Sequence, residues 1–343
     1  MIHNKRNTTL FFLLLIGVVL LFVADISFGS VTIPFHDIAE TLTGGMASRD
    51  TWEYIIINYR LPKAITAILV GMGLSVSGLL MQTLFRNPLA GPYVLGLSSG
   101  SSLGVAFVIL GAAYLPGFLG SVLVSSYGII VASFLGSLMV LLAVMLVSQK
   151  LRDTMAILIV GLMFGSFTSA FVGVLTYFST AEQLQKFTFW SLGNLGNLSW
   201  ISITILAFAV GLGLLLSAIS IKPLNALLLG ENYAKSMGMN YNKARFLIIL
   251  ATSILAGSIT AFAGPIAFIG LAVPHIAKLV FRTSNHAVLF WATVLFGAII
   301  MLFCDIVSQF PGTQLTLPIN AITSIIGAPV VIWLLVNKRN RLM

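Results

Sequence analysis

The sequence predicts an all-α integral membrane protein with about ten transmembrane helices, on three observations. Of its 343 residues 58% are hydrophobic and 8% charged, with a mean hydropathy of +1.05, which is more apolar surface than a soluble core encloses. The apolar residues gather into separate runs, most of them close to the ~20 residues that a helix needs to cross the hydrocarbon. No period-2 alternation recurs, which favours a helical bundle over a barrel.

In order, the runs cover roughly 10–25, 64–84, 93–112, 119–147, 154–177, 200–221, 246–263, 268–281, 287–307 and 318–336. The first follows Lys5 and Arg6, as a secretory signal would. "VADISFGS" after it offers no small-x-small cleavage site, so it reads as a retained span. An even number of spans puts both termini on one side. With that side cytoplasmic, only Arg49, Arg60, Lys63 and Lys186 of the 18 basic residues face outward, as the positive-inside rule requires. Trp52, Trp190 and Trp200 then lie near outer ends, at the headgroup layer. The net charge of +9 is thereby assigned to topology and not to nucleic acid. The whole chain, 1–343, reads as one polytopic domain.

Two segments break the pattern. "FRNPLAGPYVLGLSSGSSLG" (85–104) sets Asn87, Pro88, Gly91, Pro92 and Gly96 where an uninterrupted helix is expected. "AGPIAFIGLAVPHIAKL" (263–279) does the same with Gly264, Pro265 and Pro274. Each carries Ala-Gly-Pro, an apolar stretch and Gly-Leu, and in the counted topology the two run in opposite directions. Paired breaks of this kind mark inverted-repeat transporters, where irregular backbone is buried in protein or lines a wet path. The small residues of "GLSSGSSLG" (96–104) fit close helix packing or a hydrated path.

Between the sixth and seventh runs lies a polar interruption, 222–245. Pro223 suits a helix start, Gly230 and Gly238 suit left-handed helix ends, and the sequence between them predicts two short helices on the membrane surface. Their apolar residues, Leu227 to Leu229, Tyr233 and Met237, either face a groove on another protein or form a surface hairpin with no partner.

Catalytic chemistry is not expected. There is no paired-carboxylate, H-E-x-x-H or nucleophile–base pattern, no G-x-x-x-x-G-K-[ST] phosphate loop, and Cys304 stands alone. His275 is one lone histidine in a span, more often bonded to a carbonyl than to a metal. Asp305 admits either a proton-relay role or helix anchoring near the outer end of span nine. An ion-coupled carrier would need mid-membrane acids beyond it.

"LLLGENYAKSMGMN" (227–240) resembles the coupling segment of permeases of the FecCD-type family of ABC importers, which carry iron-siderophores, haem and cobalamin. "YRLPKAITAILVGMGLSVSGLLMQTLFRNPLAGPYVLGLSSGSSLG" (59–104), "GPIAFIGLAVPHIAKLVF" (264–281) and "LPINAITSIIGAPVVIWLL" (317–335) are similar to that family's other blocks. The resemblance implies a ten-span subunit of the bacterial cytoplasmic membrane. It would work in a permease dimer, homodimeric or paired with a paralogue, with two cytoplasmic ATPase subunits that hold ATP and Mg, and with an extracytoplasmic binding protein. No cofactor in this chain is implied. Leu229, Gly230, Glu231, Ala234 and Gly238 would couple to the ATPase. Thr154 and Met155 would form a cytoplasmic gate, with a plain helix start capped by Asp153 a compatible reading. Arg60 and Lys63 would pair with glutamates of the binding protein, or else serve as snorkelling anchors. The family's further arginine near the end of span nine is replaced by Gln309 in "DIVSQF". Ferric siderophore is the cargo the resemblance favours.

Overall fold

The computed structural model describes residues 2–45, 47–111, 124–150, 154–196, 198–309 and 316–339. Among them all regular structure is helical: α1 (Ile2–Ser27), α2 (Phe35–Leu42), α3 (Asp50–Ile55), a π segment (Ile56–Arg60) and α4 (Leu61–Leu84). A 3-10 turn (Pro92–Leu95) leads into α5 (Leu97–Ile109), followed by α6 (Ser126–Lys150), α7 (Thr154–Tyr177), α8 (Ala181–Ser191) and α9 (Trp200–Ile219). Then come α10 (Ile221–Leu228), α11 (Glu231–Ser236), α12 (Tyr241–Ala263), α13 (Ile269–Phe281), α14 (His286–Ser308) and α15 (Ile319–Arg339).

Among the described residues seven helices are long and apolar enough to cross a membrane, and Leu97–Ile109, Ile269–Phe281 and Ile319–Trp333 are shorter apolar helices. In order, the seven and the three fall on the ten apolar runs. The boundaries differ where polar residues join a helix. The second run extends back to Asp50 as one 35-residue helix, because the π segment lets "INYR" continue the winding that "DTWEYI" starts. The first part of the fourth run, 119–123, lies outside the described residues; its helix begins at Ser126, after Ser125 Oγ accepts the Gly128 N–H at 3.2 Å.

The contacts cluster into two units. The first comprises Met1–Val76, Asn194–Phe208 and Ala267–Met343, and the second Ser77–Gly193 and Ala209–Ile266; α4 and α9 carry the chain from one to the other. Helices in lipid associate through close packing and hydrogen bonds, not through apolar burial alone, and both units show how.

In the first unit α1 lies along α14 and also meets the end of α13, with Phe11 on Phe281 at 4.8 Å between ring centroids and Arg6 Nη2 donating to the Phe281 carbonyl at 2.9 Å. α4 meets α14 backbone to backbone: a Cβ on Gly71 would fall 2.2 Å from the Gly297 carbonyl oxygen. In the second unit α5 packs on α6 in the same way. A Cβ on Gly100 would lie 2.5 Å from the Gly136 carbonyl oxygen, and one on Gly104 2.1 Å from that of Ala132. Ser101 Oγ crosses the same seam to the Ser133 carbonyl at 3.2 Å. Within 96–104, Gly100, Ser101 and Gly104 serve close packing.

Candidate functional site

The polar interruption folds as two short helices. α10 starts two residues before Pro223, which sits in the first turn where its missing N–H costs no helical bond. Leu224 and Leu227 are buried while Leu228 and Leu229 are exposed. Gly230 then turns the chain with φ 116° and ψ 150°. The expected left-handed helix end is not formed here; the glycine takes a more extended positive-φ conformation that side chains rarely allow, and its carbonyl accepts the Ala234 N–H at 2.9 Å to open α11.

Gly238 does end α11 as expected, at φ 84°. Its N–H donates to the Lys235 carbonyl at 2.9 Å and the Met239 N–H to the Ala234 carbonyl at 3.1 Å, the two bonds of a Schellman cap. Glu231 is held by Lys235 Nζ at 2.6 Å, one turn on, and Lys235 lies over the Tyr241 ring at 5.2 Å. Ala234 is fully buried beneath. Leu228, Leu229, Tyr233 and Met237 face outward, beside exposed Asn232, Lys235 and Ser236. A short helix pinned by a buried alanine, an ion pair and a cap can transmit displacement, which a free loop cannot.

The two helix breaks are built alike in their parts. In the first, Arg86 has φ 47°, and Asn87 Oδ1 accepts the Leu89 N–H at 2.9 Å across Pro88. Gly91 leads into the 3-10 turn at Pro92, and Gly96 takes φ 77° before α5 begins. A Cβ on Gly96 would stand 2.9 Å from the Gly161 carbonyl oxygen, so α5 starts hard against α7. In the second, Gly264 has φ 75° and ψ 178°, and a Cβ there would meet the Trp190 carbonyl oxygen at 2.6 Å. Pro265 follows, and Phe268 at φ 66° opens α13. Inside α13, Pro274 has no N–H to return to Gly270. The Ile266 N–H donates to Tyr93 Oη at 3.4 Å, and Thr260 Oγ1 approaches the same oxygen at 3.3 Å. A tyrosine of the first break thus accepts the main chain of the second. The Ala267 N–H goes to Asn320 Oδ1 at 2.9 Å.

At the ends of α1 and α14 and the start of α4 lies a buried polar cluster. Lys63 Nζ is 3.0 Å from Asp305 Oδ1. Gln309 Nε2 donates to Asp25 Oδ1 at 3.1 Å and reaches Asp305 Oδ2 at 3.4 Å, while Ser308 Oγ donates to Asp305 Oδ1 at 3.2 Å. Arg60 Nη1 donates to the carbonyls of Ile26 at 2.8 Å and Ser27 at 3.0 Å, and Nη2 to that of Val31. Gly29 admits this fan, since a Cβ there would come within 2.8 Å of Nη2. Asp25, Asp305 and Arg60 are buried.

The structure therefore places Arg60 and Lys63 inside this cluster, and Gln309 between two carboxylates. Asp305 anchors a helix end. The other cations expected on the outer side are also engaged: Arg49 lies over the Trp52 ring at 4.8 Å, and Lys186 is 2.8 Å from Glu182. The hydrogen bond and charge of Lys186 hold the exposed Glu182 carboxyl below the usual range. Thr154 and Met155 begin α7, but their side chains and Asp153 lie outside the described residues. His275 is half-buried and has a partner within the chain. Among the described residues no three His, Cys, Asp or Glu side chains gather as a metal site. Sequence reasoning passed over Asp25 and Tyr93. The only signals were an aspartate near the end of a span and a tyrosine directly after Pro92, and neither names its partner.

Comparison with known proteins bears on these features together. A profile of the FecCD transport family matches residues 14–337. The chain is 33% identical over 328 residues to the hemin transport system permease protein HmuU of Yersinia pestis, covering 96% of this chain and 95% of that one. It is 34% identical over 291 residues to the vitamin B12 import system permease protein BtuC of Klebsiella pneumoniae, covering 84% of each. Among solved structures, one of an inward-facing metal-chelate type ABC transporter superposes with a TM-score of 0.83 at 29% identity, over 96% of this chain and 99% of that one. PsaBC from Streptococcus pneumoniae shares the fold at a TM-score of 0.56 and 17% identity, over 87% and 95% of the two chains.

Proposed function

The chain belongs to the FecCD transport family and is a permease of the ABC-importer type; from that premise we propose that it imports an iron chelate, ferric siderophore foremost, into a bacterial cytoplasm. The coupling element carries this reading. Its outward apolar face on Leu228, Leu229, Tyr233 and Met237, with Gly230, Glu231, Ala234 and Gly238 fixing the shape, suits a groove on an ATPase subunit. Two such ATPases, which bind ATP and Mg, would drive a dimer of this chain with a second permease subunit. The segment 222–243 and both termini lie in the cytoplasm in this reading.

On the outer side Arg60 and Lys63 serve docking of an extracytoplasmic binding protein by shaping the rim that receives it. Arg60 holds the turn at 26–31 in place, and Lys63 keeps a fifth of its side chain accessible beside Asp305. Thr154 and Met155 are proposed as the cytoplasmic gate. The breaks around Gly91–Gly96 and Gly264–Pro274 flank the translocation path, joined at Tyr93 and Ile266. Haem is a second cargo reading, favoured by the match to a hemin permease along nearly the whole chain. ATPase stimulation of the reconstituted complex by its binding protein, loaded in turn with ferric siderophores, haem and cobalamin, discriminates among them; stimulation by haem alone would overturn the siderophore assignment.

A further inference from the structure

Beside the coupling element, the end of α6 and the first two turns of α12 line a half-open cavity of about 640 Å³, with Met145, Lys243, Arg245, Phe246 and Ile249 among its walls. This is the size of a site for a whole small ligand, and its two ends differ in chemistry. Lys243 is exposed at the mouth, the wall deeper along α12 is apolar, and α12 is itself apolar enough to cross a membrane. Arg245 is only 8% exposed, and its guanidinium lies 5.7 Å from the Tyr241 ring centroid. Lys235 covers the same ring at 5.2 Å. Lys243 and Arg245 thus set two basic groups beside an apolar slot, one helical turn into a span. That is the depth at which a lipid phosphate meets its acyl chains, and basic pockets on the cytoplasmic side select acidic headgroups.

We propose that this cavity binds one acidic phospholipid, its phosphodiester between Lys243 and Arg245 and an acyl chain along Met145, Phe246 and Ile249. The assignment to the inner leaflet rests on the orientation proposed above; the binding chemistry does not. A bound lipid here would brace the base of α12 directly behind the coupling helix α11, which packs on α12, so membrane composition would tune coupling.

The test uses the full chain in nanodiscs of phosphatidylcholine doped with a photoactivatable phosphatidylglycerol. Labelling should map to the peptide 242–249. It should fall roughly fivefold in Lys243→Gln, since each basic residue contributes about 1 kcal/mol to acidic-lipid attraction, and further in Lys243→Gln/Arg245→Gln. Lys243 is exposed, so its variant tests the site even if replacing the buried Arg245 impairs folding. Excess phosphatidylglycerol should compete and inorganic phosphate should not. Equal labelling by photoactivatable phosphatidylcholine, indifference to Lys243→Gln, competition by phosphate, or full displacement by the ATPase partner would each overturn the proposal. Both faces of a nanodisc see the same lipids, so a failed orientation would be found separately, by accessibility of a cysteine at position 235 in sealed vesicles.

Discussion

The Lys63 ammonium sits 3.0 Å from the Asp305 carboxylate, joining the start of α4 to the end of α14. The pair is braced by Gln309, which reaches Asp305 and, at 3.1 Å, Asp25 at the end of α1. Removing one partner leaves a buried charge without compensation. Lys63→Met and Asp305→Leu should each lower stability by on the order of 3 kcal/mol, and the double variant should recover most of the loss. Thermal unfolding in detergent measures this; additive losses would show that the contact is not formed.

Arg60 makes charge-assisted bonds to two carbonyls at the end of α1 and one in the turn after it, each worth about 1.5–3 kcal/mol when a charged group is involved. Arg60→Glu should therefore destabilise the chain in the absence of any binding protein. A variant with unchanged stability that nonetheless lost binding-protein association would make Arg60 a direct contact instead.

Gly238 has open space where a Cβ would project, so substitutions there act through the backbone alone. Gly238→Val should cost about 1 kcal/mol or more at the cap, and Gly238→Asn distinctly less, since asparagine tolerates the left-handed region. Transport and ATPase co-purification should follow that order at equal amounts in the membrane.

Gly100 and Gly173 offer a matched contrast. A Cβ at Gly100 meets the Gly136 carbonyl oxygen, while one at Gly173 meets nothing within 4 Å. Gly100→Ala should lose about 1–3 kcal/mol to overpacking, and Gly173→Ala, on an exposed helical position, should be neutral or stabilising. Thermal melts of the two purified variants decide.

Tyr93→Phe removes the acceptor that the Ile266 N–H uses. A loss of about 1 kcal/mol in stability is expected, and slower transport if the two helix breaks move as a unit. Unchanged uptake kinetics would separate the hydrogen bond from the transport cycle.

Local features were legible in the sequence where their cause is local. The apolar runs set the helices, and Gly238 set its own cap because φ near 84° is a property of one residue and its neighbours. Gly230 was located but its conformation was not, because ψ 150° answers to how α10 meets α11. The buried polar cluster was out of reach: Asp25 and Gln309 lie 284 residues apart, and nothing near either announces the other. Asp305 carried a sign of importance without its partner, because Lys63, which meets it, belongs to a helix far away in the chain. Tyr93 and Ile266, 173 apart, illustrate the same limit.

Uptake of a radiolabelled ferric chelate into proteoliposomes bearing the complete complex decides whether the chain is an ATP-driven importer. Accumulation should need both ATP on the coupling-helix side and the loaded binding protein, and should fall when the Leu229–Gly238 face is disrupted. Uptake at an undiminished rate without ATP, driven by an ion gradient, would contradict it.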